Sequence, residues 1–286
     1  MSVALVTGTS TGIGQATAIA LARKGHKVYA AMRNLAGAGE LTKIATDEKL
    51  AVIPIQMDVD SDASVDLAIK GVLEAEGRID VLVNNAGIGG GASVEETSLE
   101  TFRAVMETNF FGVLRCAKAV VPSMRKQRGG CIVNISSVAG RIAMAPQGAY
   151  AASKWAVEAM SECLAQEMKA FNVRVALIEP GVIATAIFGK SAPPIADSPY
   201  PHTRRLTAVF AASLGNPASP FLVADQICEI VDGGSWRLRY PVGPDAEPYI
   251  AWRKSKSDEA FVALGGAGDA EFKAVVKADM GLDVIL

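Results

Sequence analysis

Histidine is nearly missing from this chain: His26 and His202 are the only two in 286 residues. Any mechanism that needs a histidine base therefore has two candidates. Cysteine is sparse as well. Cys116, Cys131, Cys163 and Cys228 stand far apart and form no CxxC and no Cys/His cluster, so they read as buried free thiols, not as metal ligands or disulfides. No metal site is indicated. No apolar run approaches the roughly 18 residues of a membrane span, so no transmembrane helix is predicted. There is no excess of one charge either: the formal net charge is -2, with Lys and Arg scattered. That removes any electrostatic case for nucleic acid or an anionic membrane surface as partner. The opening "MSVALVTGTSTGIG" has the apolar look of a signal segment but no basic start. A soluble, cytoplasmic protein is the expectation.

Half of the residues are hydrophobic, enough to bury a large core. Short β-branched runs alternate with helical patterns. "SVALVT", "HKVYAAM", "AVIPIQMD", "DVLVNNAG", "GCIVNISS" and "VRVALIEPG" lack polar alternation, as parallel strands covered on both faces should. A last strand is predicted around "WRLRYPVG". Residues 13–24, 36–48, 61–76, 101–127 and 149–171 carry helical periodicity, the first ending at Gly25 as a C-cap. Repeated βα units imply an α/β fold: one domain over 1–286, a doubly wound parallel sheet with helices on both faces. Residues 186–220 are rich in Pro and Ser without a clean period and read as a substrate loop or lid. The tail, 244–286, reads as a helical extension of two short helices.

Between the first strand and first helix stands "TGTSTGIG", Thr7 to Gly14. Glycines there let the backbone turn sharply and approach a pyrophosphate, which would sit on the free N–H groups of the helix start. Gly8, Thr9, Ser10, Thr11, Gly12, Ile13 and Gly14 are the candidate contacts. The same letters match the GxSxG elbow of a serine hydrolase with Ser10 as nucleophile, but that elbow belongs deeper in a sheet, and only His202 lies downstream. A P-loop fails, since no Lys-Ser/Thr follows at the required spacing.

If the turn binds a dinucleotide, a residue about 20 positions on reads the adenosine ribose. An acid would favour NAD. The second strand instead ends in Met32, Arg33 and Asn34, and Arg33 can fork a 2′-phosphate. NADP is therefore expected over NAD. Asp58 and Val59, after the third strand, are candidates for the adenine edge, although Asp58 could equally cap the helix beginning near Ser61.

"TGTSTGIG", "NNAG" (Asn84–Gly87), Asn109, "NISS" (Asn134–Ser137), "YAASK" and "PGVIAT" (Pro180–Thr185) occur in the order and spacing of the short-chain dehydrogenase/reductase family. The resemblance covers roughly residues 1–190. In "KVYAAMRNL" and the apolar loop after "PGVIAT" the chain resembles the NADP-using 17β-hydroxysteroid and retinol dehydrogenase branch. The resemblance implies a Rossmann-type fold and a set of roles. Tyr150 would be the general acid/base, and Lys154, one turn away, would favour its phenolate and hold the nicotinamide ribose. Ser137, rather than Ser136, would bond the substrate oxygen. Asn109 would hold a water linked to Lys154. Asn84, Asn85, Ala86 and Gly87 would support the cofactor, and Pro180, Gly181, Ile183 and Thr185 would close over the nicotinamide.

The substrate wall is expected from "VAGRIAMAPQGA" and the 186–220 loop: Val138, Ile142, Met144, Ile187, Phe188, Val209, Phe210 and Leu214. Their character suggests an apolar secondary alcohol or ketone; Arg204 and Arg205 are read as solvated loop charges, with recognition of an anionic substrate as the alternative. Helices 101–127 and 149–171 are apolar on more than one face, so a homodimer or homotetramer is expected. Trp252 and Phe261 in the tail would close the site or join an interface. The alternative from another class is a nucleotide-sensing binding protein on the same fold without turnover.

Overall fold

Strands without polar alternation belong in the middle of a sheet that is covered on both sides. In a computed structural model, which describes residues 1–187, 195, 197–215 and 217–286, they form one seven-stranded sheet of order β3-β2-β1-β4-β5-β6-β7. The strands are β1 (Val3–Thr7), β2 (Lys27–Met32), β3 (Val52–Gln56), β4 (Val81–Asn84), β5 (Gly130–Ile135), β6 (Val173–Pro180) and β7 (Arg239–Val242). All of their pairings are parallel. The helices α1 (Gly12–Arg23), α2 (Gly39–Asp47) and α8 (Pro220–Gly233) cover one face. On the other lie α3 (Asp62–Glu76), α4 (Leu99–Met106), α5 (Gly112–Gln127) and α6 (Gly148–Lys169). Alternation along β1 divides the core in two: Ala4 and Val6 pack with the α1 and α8 layer, Val3 and Leu5 with the α3 and α5 layer. Strand order reverses between β1 and β4. The turns leaving these strands diverge there and open a crevice at the carboxyl edge of the sheet.

Several elements differ from the sequence expectation. The single helix over 101–127 is broken into α4 and α5 by a π-helical turn, Glu107–Phe111. The 186–220 stretch contains a regular helix, α7 (His202–Ser213). Its Ala208 and Val209 are buried against Phe272, Val276, Met280 and Val284 of the tail, so its apolar side is matched only by residues more than 60 positions away. α8 carries an apolar stripe of Val223, Ala224, Ile227, Cys228 and Ile230, with Ser219 as N-cap and Pro220 at the first position. The tail holds three α-helices, α9 (Ala246–Lys254), α10 (Asp258–Ala263) and α11 (Asp269–Met280), not two. Gly25 follows α1 with φ +87°, the left-handed residue expected past a helix end. α3 is capped by Ser61, whose Oγ accepts from Ser64 N–H at 3.3 Å. The Asp58 carboxylate instead accepts from Asp60 N–H at 3.2 Å, so it is not the cap.

Candidate active site

The crevice is floored by the turn after β1. Gly8 takes φ +69°, and a Cβ there would lie 2.8 Å from Ala86 Cα. At Gly14 an added Cβ would come within 2.4 Å of both the Gly8 carbonyl oxygen and Asn85 Nδ2, so only glycine fits. The turn is tied to the end of β4: Asn85 Nδ2 donates to the Thr7 and Gly8 carbonyls at 2.8 and 3.1 Å. Thr7 Oγ1 accepts from the backbone N–H of both Asn85 and Ala86 at 2.9 Å. Thr9 is fully buried and donates its hydroxyl to Ala31 O at 3.1 Å, which joins the turn to β2. Thr11 precedes α1 without capping it through its side chain, and the first turn carries no acid. A close-approach backbone with uncapped helix N–H groups suits a pyrophosphate. Thr185 stands over Gly12, its Cγ2 3.3 Å from where a Cβ would be.

At the end of β2, Arg33 and Asn34 are exposed. Asn34 Oδ1 accepts from Ala36 N–H at 2.9 Å and caps a short 3-10 turn. Arg33 makes no ion pair among the described residues. Val59 is buried beneath Gly112, where an added Cβ would lie 3.0 Å from its own Cβ.

Tyr150 and Lys154 begin α6, and the reason they share a face is visible there. Lys154 is only 5 % exposed. Its ammonium donates to the Ile135 carbonyl at 2.9 Å and lies 5.6 Å from the centre of the Tyr150 ring. Burial lowers the Lys154 pKa to about 8, with Glu158 opposing that fall. Burial raises the Tyr150 phenol above its usual value, and a hydrogen bond from Ser137 works in the other direction. Ser137 follows β5, and its Oγ accepts from Ala139 N–H at 3.1 Å. Ser136, its neighbour, turns away toward Glu158 and Gly140, as strand alternation requires.

Asn109 is completely buried inside the π-turn. Its carboxamide clasps Ile88, accepting from N–H at 2.8 Å and donating to O at 3.0 Å, and also donates to Ser153 Oγ at 3.0 Å. A π-turn displaces one residue from the helical register and frees such a group to look inward, a feature frequent at functional sites. Gly87 lies beside it, and a methyl group added there would stand 3.3 Å from Asn109 Oδ1. Asn84 supports the same region from behind by donating to Asn134 Oδ1 at 2.8 Å.

The loop after β6 is pinned by a residue that the sequence alone does not single out. Asp245 Oδ2 accepts from Val182 N–H at 2.8 Å, and it packs so tightly on Gly181 that a Cβ there would meet Asp245 Oδ1. Pro180 ends β6, and Ile183 bridges to Ala218. Only the adjacent Gly243 hints at Asp245, since contact between β6 and the start of α9 is not local in sequence. Thr7 and Ser153 are likewise absent from the sequence-based set of site residues, although each lies within one of its motifs.

Other expected residues are placed elsewhere. Ile142 is buried and Val138 and Met144 half-buried before Tyr150, and Ile187 packs 3.6 Å from the Cβ position of Gly89. Phe188 lies outside the described residues. Phe210 is half-buried on α7, Leu214 borders a crevice of about 580 Å³ between α1 and α8, and Val209 faces the tail instead of the cleft. Arg204 and Arg205 both bind Asp269, at 2.7 and 2.9 Å; Arg205 is buried and so not a solvated charge, whereas Arg204 is exposed on α7. Trp252 and Phe261 stack edge-on at 5.9 Å within the tail. Cys163 is exposed, unlike the other three thiols. His26 bonds Ser2 and Asp232, and His202 bonds Gly265 O, so neither histidine serves Ser10.

The family model described as short chain dehydrogenase matches residues 2–195. The chain belongs to the short-chain dehydrogenase/reductase family. Among its relatives, retinol dehydrogenase 8 of Bos taurus is 39 % identical over 261 residues, covering 86 % of this chain and 83 % of that one. A 3-ketodihydrosphingosine reductase of Bacteroides thetaiotaomicron is 36 % identical over 88 % of this chain and 91 % of its own. A short-chain dehydrogenase from Streptomyces avermitilis superposes with a TM-score of 0.80 at 32 % identity, covering 98 % of both chains. Two further structures of the family carry different nucleotides. An alcohol dehydrogenase from Thermococcus sibiricus holds 5-hydroxy-NADP (TM-score 0.71, 27 % identity, 84 % and 95 % covered). A Burkholderia phymatum family member holds NAD (TM-score 0.78, 25 % identity, 89 % and 93 % covered). This short-chain dehydrogenase/reductase is a nicotinamide-dependent oxidoreductase acting on CH–OH groups. No helix among the described residues is long and apolar enough to cross a membrane.

Proposed function

We propose that the protein is an NADP-dependent enzyme interconverting an apolar secondary alcohol and its ketone, with Tyr150 as general acid/base. The observation that carries this reading is the convergence of Tyr150, Lys154 and Ser137 at the carboxyl edge of the sheet. A nicotinamide dinucleotide held by Gly8 to Gly14, Asn85 to Gly87 and Pro180 to Thr185 supplies or accepts the hydride. The remaining work falls to side chains. Ser137 donates to the substrate oxygen and stabilises charge as it develops. Tyr150 gives its phenolic proton to that oxygen in reduction and takes it back in oxidation. Lys154, cationic below about pH 8, favours the phenolate that burial alone disfavours. Asn109, by clasping Ile88, sets the floor over which these groups meet.

Preference for NADP is supported by Arg33, which follows β2, exposed and in no ion pair among the described residues. Fluorescence titration is expected to show tighter NADPH than NADH binding. Arg33→Ala should weaken NADPH roughly 10- to 100-fold, the span of one charged hydrogen-bonded contact, and change NADH by less than about twofold. NADH bound more tightly by the parent protein would remove Arg33 from the site and leave Tyr150 in place.

An apolar substrate is supported by Ile142, Val138, Met144 and Ile187 around the cleft, and by relatives named for retinol and ketodihydrosphingosine. Turnover confined to charged, sugar-like carbonyls would overturn it. We assign α7 and the tail packed on it to substrate enclosure. Phe111 and Trp155 are exposed beside α5 and on α6, which supports pairing of these helices between subunits.

A further inference from the structure

Behind the Tyr150–Lys154 pair lies a partly buried charge cluster with no part in the mechanism so far. Glu158 stands one turn beyond Lys154 on α6, and each is 5 % exposed. From β7, Arg239 donates to Glu158 at 2.9 Å and to Glu162, one further turn along, at 2.7 Å. Arg239 also comes within 3.7 Å of Glu179 on β6, which is fully buried and accepts from Arg141 at 2.9 Å. From the end of β5 the Ser136 hydroxyl faces Glu158, and both crowd Gly140, where an added Cβ would lie 2.6 Å from Ser136 Oγ and 3.3 Å from Glu158 Oε1.

Three carboxylates, Glu158, Glu162 and Glu179, thus meet two guanidiniums, Arg141 and Arg239. By formal charge one carboxylate is left over, and Lys154 is the cation one turn before Glu158 on α6. Neither exposed nor buried ion pairs add much stability over apolar packing, so the cluster's place at the back of the site calls for another reason. Ser136 and Ile135 supply one. Lys154 bonds the Ile135 carbonyl, and the next residue touches Glu158, so the lysine and the carboxylate share one strand end.

We propose that Glu158 is a positioning residue for Lys154: its carboxylate, held by Arg239, keeps the neighbouring ammonium charged and directed at Tyr150. The proposal rests on the Tyr150–Lys154 reading above. Burial pulls the Lys154 pKa down to about 8, and Glu158 is the group that resists it. Burial raises Glu158 itself; Ser136 and Arg239 draw it back, while Glu179 adds to the rise.

Glu158→Gln keeps the size and an acceptor for Arg239 but removes the charge. The direct readout is NMR titration of side-chain-labelled lysine in the protein without substrate, with the Lys154 signal assigned by its loss in Lys154→Arg. The midpoint is expected to fall by about one unit in Glu158→Gln. Since a less cationic lysine favours the phenolate less, the acid limb of alcohol oxidation should move to higher pH, with about tenfold lower kcat on that limb and little change in KM for the nucleotide. An unchanged midpoint overturns the proposal, and so does a shifted midpoint with an unchanged turnover profile. If Glu158→Gln does not fold, the double variant Glu158→Gln/Arg239→Gln, which removes one charge of each sign from the cluster, takes its place. Failure of both to fold assigns Glu158 to the scaffold and overturns the proposal. Tyr150→Phe separates this from the reading beneath it: turnover surviving in that variant rejects Tyr150 as acid/base without altering the Lys154 titration.

Discussion

Replacing Tyr150 by Phe is expected to lower kcat by about 1,000-fold, the middle of the range for a positioned general acid/base, while NADPH affinity stays within about twofold of the parent. The change deletes one oxygen and leaves the ring, so packing at the start of α6 is kept. What it removes is the hydroxyl that hydrogen-bonds Ser137. Steady-state kinetics with a secondary alcohol, alongside fluorescence titration of the nucleotide, separates the two effects. Loss of binding together with turnover would mean that the ring position, not the hydroxyl, was disturbed. Unreduced turnover would remove Tyr150 from the chemistry.

The sign of the pH dependence follows from the same two groups. Burial raises the Tyr150 phenol, so oxidation, which needs the phenolate, is expected to rise with pH. Lys154 is cationic below about pH 8, and its help is greatest there. Reduction needs the protonated phenol and should follow the opposite slope. Parallel profiles in the two directions would contradict a shared acid/base.

Most of the scaffold was legible because its signals are local. Each strand is a short apolar run, and the turn of glycines sits where a βα unit needs it. The catalytic candidates were legible only as a set: Tyr150 and Lys154 are an ordinary helical pair until Ser137 and Asn109 are placed beside them. What escaped is non-local. α7 shows no clean period because its apolar side is completed by α11 and the chain beyond it. Asp245 grips Val182 from 63 positions away, and nothing near either residue announces the contact. The π-turn around Asn109 could not be read from periodicity, since one extra residue per turn leaves the apolar spacing on both sides almost intact. Glu158 was hidden for a different reason. In sequence it is one more acid on a helix, and only the arrival of Arg239 and Ser136 from two strands shows that it is buried.

The second large effect is expected at the other half of the crevice. Gly14→Ala adds one methyl group at a point 2.4 Å from the Gly8 carbonyl oxygen and from Asn85 Nδ2. The first neighbour is backbone and the second is fixed by two hydrogen bonds to Thr7 and Gly8, so neither can yield without opening the turn. Overpacking of this kind costs about 1–3 kcal/mol, or a fall of roughly 2–10 °C in Tm for a chain of this size. Affinity for either nucleotide should drop by at least about 100-fold, because the N–H groups proposed to hold the pyrophosphate move with the turn. Gly71→Ala is the matched control. Gly71 lies exposed within α3 with nothing within 4 Å of its Cβ position, so the same methyl should raise stability by up to about 1 kcal/mol through helix propensity. Thermal unfolding and nucleotide titration on the two variants read both predictions together. Gly14→Ala with unchanged nucleotide affinity would mean that the turn after β1 is not where the dinucleotide sits. Loss of affinity there, set against its retention in Tyr150→Phe, would instead divide the crevice into a binding half built by glycines and a reacting half built by α6.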